Sequence, residues 1–289
     1  MLNTTEFRGQ PCVELSLSSG DRVRIALHGA HVLSWTSADG VERLYLSPDA
    51  LIDGKSPIRG GVPVCFPQFN HRALGTAKLP KHGFARTATW SLEASSEADG
   101  SAQVSLSLHA DAATRAIWPF EFKATLTALL SAASLRVDFH VVNTGHDAWP
   151  FALALHSYLH VDDIARSTLD GLGGLTFWDG VRDLKLPDAR REQPDGGLHF
   201  DGEIDRIYAD AADVLTVKHP GGSLAVSHSD SLQDVVVWNP GEALSAALPD
   251  MPADGYKHML CVEAACINAP VTLQAGQAWS GWQEFRIDA

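Results

Sequence analysis

An all-β fold, one large sandwich of antiparallel sheets, is what this sequence predicts, and three observations carry the prediction. Short runs of alternating apolar and polar residues recur from end to end, clusters of Gly, Pro, Asn and Asp separate them, and helical periodicity over a dozen residues is hard to find. Nothing alternates strand with helix in the manner of a parallel sheet.

In chain order the predicted strands include Val23–Leu27, Gln103–His109, Phe122–Leu130, Leu135–Asn143, Pro150–His156, Val214–His219, Ser223–His228, Asp234–Trp238 and His258–Glu263. Gln103–His109 shows the pattern plainly: Val104, Leu106 and Leu108 alternate with Ser105 and Ser107, so one face is buried and the other wet. The segment Asp179–Gly202 is richer in Arg, Pro, Asp and Gly and reads as an excursion between strands. No fixed-period repeat or low-complexity linker interrupts the pattern, and the chain is read as one unit over residues 1–289.

Composition narrows the function classes. Hydrophobic residues make up 45% and charged residues 20%, as in a packed globular protein. A formal net charge of −13 argues against nucleic acid or an anionic membrane as the main partner, although a few converging cations still suffice for an anionic small molecule. The N-terminus lacks a basic region followed by an apolar run, and no apolar stretch is long enough to span a bilayer. Cys12, Cys65, Cys261 and Cys266 form no Cys-x-x-Cys pair and read as small buried thiols in a reducing compartment. A cytoplasmic monomer is expected.

Five segments carry candidate chemistry. In Ser56–Asn70, Arg59 precedes two glycines, which would let the backbone pass close to a ligand, and three prolines stiffen the loop; Arg59 reads as a clamp for phosphate or sugar hydroxyls, or as a structural arginine paired with a carboxylate. In Leu79–Arg86, Lys81, His82 and Arg86 surround Gly83, either converging on an anion or forming a solvated basic loop. In Trp149–Tyr158, strand parity puts Phe151, Leu153 and Leu155 on one face and Ala152, Ala154 and His156 on the other; a face lined by alanines leaves an imidazole room for a ligand, against the alternative of an exposed strand-end histidine. In His258–Ala264, Glu263 shares a face with Met259 and Cys261, an unusual setting for a carboxylate that binds nothing. In Gly202–Tyr208, Asp205 either accepts hydrogen bonds from sugar hydroxyls or is a charged turn residue. The pair His28 and His31 lacks a second cluster at ligand spacing, so metal catalysis is not expected; a serine nucleophile elbow and a phosphate-cradling Walker loop are absent.

Together and in this order the segments resemble the aldose 1-epimerase superfamily, and within it the hexose-6-phosphate mutarotases. The resemblance rests on Ile58–Phe69, His82–Thr87, Ala154–Leu159, Glu203–Tyr208, Val235–Pro240 and Met259–Glu263, and runs from about the first strand to Trp282. The family commonly has Gln where Lys81 stands, Gly where Asn70 stands and Pro-Gly where Ala264 and Ala265 stand. The resemblance implies a sandwich of the galactose-mutarotase type with the sugar in a cleft on its concave sheet. It further implies that His156 is the general acid and Glu263 the general base, that Arg59, Arg86 and Asp205 bind substrate, and that His82 contacts the sugar.

Such chemistry opens the pyranose ring, turns the C1 carbonyl and recloses it, with a base at the anomeric hydroxyl and an acid at the ring oxygen. Reference values near 4.3 for Glu and 6.5 for His suit these roles, and no cofactor or metal is required. Arg59, Arg86 and Lys81 would hold the phosphate of a hexose 6-phosphate, glucose 6-phosphate foremost. A mutarotase of free hexoses and a non-catalytic phosphosugar-binding module are the alternatives.

Overall fold

The computed structural model describes residues 1–72, 74, 79–98, 100–211 and 214–288. Each predicted strand falls on an observed one, with ends that move by a residue or two, apart from the last. His258–Glu263 opens a strand that runs Met259–Leu273, and Pro150–His156 becomes Trp149–Leu155, so His156 lies just past the strand's end. Among the described residues helices are short, Ala112–Ile117 and Gly241–Ala247 with three 3-10 turns. No helix is long and apolar enough to cross a membrane.

The strands form three sheets, and all pairings between named strands are antiparallel. Leu2–Phe7, Gln10–Ser16, Arg22–Ala26 and His31–Thr36 make a four-stranded meander. A nine-stranded sheet runs through Ser101–His109, Phe122–Ser131, Ser134–Asn143 and Ala278–Ile287. An eight-stranded sheet has Ile204–Tyr208, Asp234–Asn239, Met259–Leu273 and Trp149–Leu155 as consecutive neighbours in its centre.

Alternation dictates how the two large sheets meet. Leu106, Leu126, Val137 and Phe139 of the nine-stranded sheet share one buried cluster with Phe151, Leu153, Leu155, Val235, Val237, Leu260 and Val262 of the eight-stranded sheet. The intervening residues of the eight-stranded sheet necessarily point the other way. Ala154, Ile207, Val236 and Ala265 accordingly belong to a separate, smaller cluster on its opposite face. That second face carries the site.

Candidate active site

Strand register assembles the site from residues far apart in sequence. Leu155 pairs with Ala264, and Tyr158 with Cys261, so His156 comes to lie across from Glu263. On the other side of Met259–Leu273, Glu263 pairs with Val236 and Cys261 with Trp238. One strand further, Val236 pairs with Ile207 and Trp238 with Asp205. Two rows therefore cross the sheet on one face, Ile207–Val236–Glu263–His156 and Asp205–Trp238–Cys261–Tyr158, because residues two apart in a strand share a face. All of these except Cys261 line a cavity of about 450 Å³, together with Arg59, Arg72, Lys81, His82, Arg86 and Asp250.

His156 and Glu263 face each other, Nδ1 to Oε1 at 3.2 Å, without the alignment of a hydrogen bond; Nδ1 has no hydrogen-bond partner among the described residues, and neither does Glu263 Oε2. The His156 ring stacks on Tyr158 at 4.9 Å and 8°, and Trp238 meets both edge-on. Burial, with Asp205 adding its charge and Lys81 opposing, holds the Glu263 carboxyl well above the usual range. Burial and the nearby charges of Arg86, Arg59 and Lys81 hold His156 well below its ordinary value. Both residues are thus pushed toward their neutral forms.

Asp205 is pushed up to about 6, by burial first and then by Glu203 and Asp179, while Lys81 and Arg72 pull it back. His82 adopts a left-handed backbone, φ 64°, and its ring lies 5.5 Å from that of His156. The Asn70 N–H donates to His82 Nδ1 at 3.2 Å, and burial keeps the ring neutral, so its own proton sits on Nε2. Gly83 provides the turn expected of it: its N–H bonds to Pro80 O, and a Cβ there would stand 2.0 Å from Phe66 O.

Arg59 combines its two readings. Nε donates to Asp250 Oδ1 at 3.2 Å and Nη1 to Tyr158 Oη at 3.1 Å, and the guanidinium still borders the cavity. The two following glycines serve a purpose other than ligand approach, which corrects the expectation. A Cβ on Gly60 would stand 2.4 Å from Tyr45 O, and one on Gly61 2.1 Å from Val32 O, and neither residue lines the cavity. His28 and His31 tie the same loop down: their Nε2 atoms lie 3.0 and 2.7 Å from Ser56 O and Gly60 O, so each ring carries its proton on Nε2. Arg86 Nη2 donates to Lys81 O at 2.9 Å, and its buried Nε has no partner among the described residues. Lys81 is exposed at the cavity's rim. Among the described residues one group of potential metal donors stands out, His156, Cys261 and Glu263, with one donor atom from each within 4.8 Å of the others.

Residues 11–286 match the aldose 1-epimerase family. The chain belongs to that family. A protein of Salmonella typhimurium provisionally named glucose-6-phosphate 1-epimerase is 37% identical over 251 residues, covering 86% of this chain and 81% of the relative. One from Escherichia coli K12 with the same provisional name is 38% identical over 247 residues, covering 84% and 79%. The crystal structure of a provisionally named mutarotase from Salmonella typhimurium superposes with a TM-score of 0.89 at 30% identity, covering 99% of this chain and 93% of the other. A galactose mutarotase-like protein from Clostridium acetobutylicum shares the fold at a TM-score of 0.80 and 16% identity, covering 100% and 98%.

In this member of the aldose 1-epimerase family every site residue named from the sequence, His156, Glu263, Arg59, Lys81, His82, Arg86 and Asp205, lines one cavity. Tyr158, Trp238, Asp250 and Arg72 join them without a mark of their own in the sequence pattern. Tyr158 and Trp238 lie on the same strand faces as His156 and Asp205 or their cross-strand partners, so parity extended by two residues finds them. Asp250 sits in a loop with no pattern, and Arg72, over the Trp178 ring at 5.3 Å, follows a short turn.

Gln68 organises the loop that carries Arg72, Lys81 and His82. Its side-chain nitrogen, buried, lies 3.2, 3.3 and 2.9 Å from the carbonyls of Asn70, Leu79 and Pro80, so it joins the two ends of the loop. Gln68→Leu keeps the volume; Asn70 O and Pro80 O retain the N–H groups of His82 and Gly83, so among the described residues Leu79 O alone loses its donor, at a cost of about 1–3 kcal/mol. Chemical denaturation should show that loss, and substrate KM should rise while kcat changes little.

Proposed function

We propose that this chain interconverts the α and β anomers of a hexose 6-phosphate, glucose 6-phosphate foremost, by acid–base opening and reclosure of the ring. The observation that carries the reading is the pair His156 and Glu263, 3.2 Å apart at the junction of two strands, in a cavity that also collects Arg59, Lys81 and Arg86. The names of the Salmonella and Escherichia coli relatives support the same substrate class. The four free, buried cysteines fit a cytoplasmic setting.

Glu263 takes the proton of the anomeric hydroxyl while His156 gives one to the ring oxygen; the C1–O5 bond breaks, the C1 carbonyl turns, and the reverse transfers close the ring on the other face. The two residues together hold one proton throughout. They form an imidazolium–carboxylate pair before opening and a neutral pair after it. Attraction across the gap supports the charged pair by about 5 kcal/mol at an effective dielectric near 20. Desolvation opposes it by several kcal/mol per ion. Over two ions desolvation outweighs the attraction, so the neutral pair is the lower state, as both shifts indicate, and the attraction keeps the charged pair close enough for the reaction to pass through it. Arg59, Arg86 and Lys81 bind the phosphate away from C1 and so orient the sugar. His82 offers its Nε2–H, and Asp205 its carboxylate, to sugar hydroxyls.

Exchange spectroscopy by NMR on the anomers of glucose 6-phosphate tests the proposal, with glucose in parallel. Acceleration with the phosphosugar and little with glucose is expected, and Arg86→Ala should remove most of that preference. Rates equal to those in buffer would dismiss the proposal; equal acceleration of both sugars would move the substrate to free hexoses.

The proposal also has a pH signature. Because the Asp205 value is raised to about 6, the group is a carboxylate acceptor above that pH and a protonated donor below it. KM for the phosphosugar is expected to rise as pH falls from 7 to 5, beyond what protonation of the phosphate itself produces. Asp205→Asn, with a higher KM at neutral pH, should flatten that dependence. A profile unchanged by the substitution would remove Asp205 from substrate binding.

A further inference from the structure

Cys261 has no part in the acid–base steps, yet it stands against both groups that perform them. It lies two residues before Glu263 on the same face of Met259–Leu273 and pairs with Tyr158, two residues after His156. Its thiol is free and fully buried and donates no hydrogen bond among the described residues. His156 Nδ1 and Glu263 Oε2 are likewise buried and unpartnered. One donor atom from each of the three residues lies within 4.8 Å of the other two, and two of the three side chains carry a buried polar atom with unmet bonding capacity.

One edge of the cluster already has the spacing of a tetrahedral cation. Zinc bonds of roughly 2.0–2.1 Å to nitrogen and oxygen imply an edge of about 3.3 Å between those ligands. The Nδ1–Oε1 distance is 3.2 Å. A sulfur bond of about 2.3 Å lengthens the other edges to roughly 3.6 Å, so thiol and carboxylate need side-chain adjustments of about 1 Å. One sulfur, one nitrogen and a carboxylate favour borderline and soft cations, whereas Mg²⁺ and Ca²⁺ require six or more oxygen ligands.

We propose that His156, Cys261 and Glu263 form a three-donor site for a divalent cation such as Zn²⁺ or Cd²⁺, open on its fourth side to the cavity, and that filling it shuts off anomer exchange. Loading exchanges protons for metal: the Cys261 thiol gives up its proton, Glu263 gives up any it holds, and His156 binds through its neutral lone pair. The carboxylate and imidazole then no longer pass protons to the sugar. The inhibition rests on the proposed function; the binding does not.

Cadmium provides a direct readout. The full chain, freed of metal by chelator, is titrated with Cd²⁺ while the ultraviolet thiolate-to-cadmium charge-transfer band is followed. One equivalent is expected, with the exchange rate falling at the same midpoint and recovering on addition of EDTA. Cys261→Ser should abolish the band and raise the cadmium concentration for half-inhibition at least about 100-fold, the upper range for losing even an outer-shell partner. Each variant is measured against its own metal-free rate. Cys65→Ser, altering a buried thiol two strands away, should keep both effects, and Cys261→Ala stands in should the serine variant fail to fold. Absence of the band in the wild type, or its persistence without Cys261, overturns the site. A band without loss of exchange overturns the shut-off. A protein that shows the band but no exchange even without metal keeps the site and rejects the proposed function.

Discussion

Glu263→Gln is expected to slow the exchange of glucose 6-phosphate anomers by about 10³-fold, within the 10²–10⁴ typical of a single acid–base group. The amide keeps the side chain's size but accepts no proton at physiological pH. Glu263 is 1% exposed, and one of its oxygens lacks a partner, so the native carboxyl pays for its burial without return in stability. Glu263→Gln should therefore unfold at the same denaturant concentration as the wild type or higher. Loss of rate with unimpaired stability is the pattern of a group kept for chemistry. Exchange NMR and urea unfolding on one preparation test both halves, and an unchanged rate would remove Glu263 from catalysis. His156→Asn should lose rate by a similar factor, and the double variant little more, because the two transfers belong to one step.

Phe66→Ala is expected to cost about 3–5 kcal/mol of folding stability, the range for deleting a large aromatic from a packed core. Phe66 is fully buried, with ring centroids of Phe139, Phe151, Trp118, Phe122 and Phe84 at 5.3–6.3 Å. Those partners come from several strands and a loop, so no one of them can move in to fill the space. The carbonyl of Phe66 also accepts from the N–H groups of Phe84 and Ala85, just after His82 and just before Arg86. A cavity at Phe66 should therefore raise substrate KM as well as lower the urea midpoint. A loss below about 1 kcal/mol would mean that the surrounding rings collapse into the space.

Parity makes the cavity-lining face legible in the amino-acid sequence. His156 among alanines and Glu263 beside Met259 and Cys261 can be placed opposite the core because a strand has a period of two, and the two sides of the eight-stranded sheet do separate as the alternation requires. The glycines after Arg59 are legible as necessary but not for the right reason: a positive φ can be anticipated from Gly-Gly, but whether ligand or backbone occupies the missing Cβ's space depends on chain that arrives from elsewhere. The end of the last predicted strand escapes local reading because Asn268, Ala269 and Pro270 do interrupt the register, and only pairing with Trp149–Leu155, resumed at Val271 beyond that irregularity, carries the strand to Leu273.

By itself, then, the sequence determined the all-β class, the inward and outward faces of the strands, and through its ordered segments the family. These depend on side-chain periodicity and on motifs a few residues long. Only the tertiary structure decided that Arg59 is braced by Asp250, 191 residues away, that Tyr158 stacks on His156, and that Cys261 forms a three-donor cluster with His156 and Glu263. Such contacts depend on strand register and loop closure, where a shift of one residue turns every side chain to the other face.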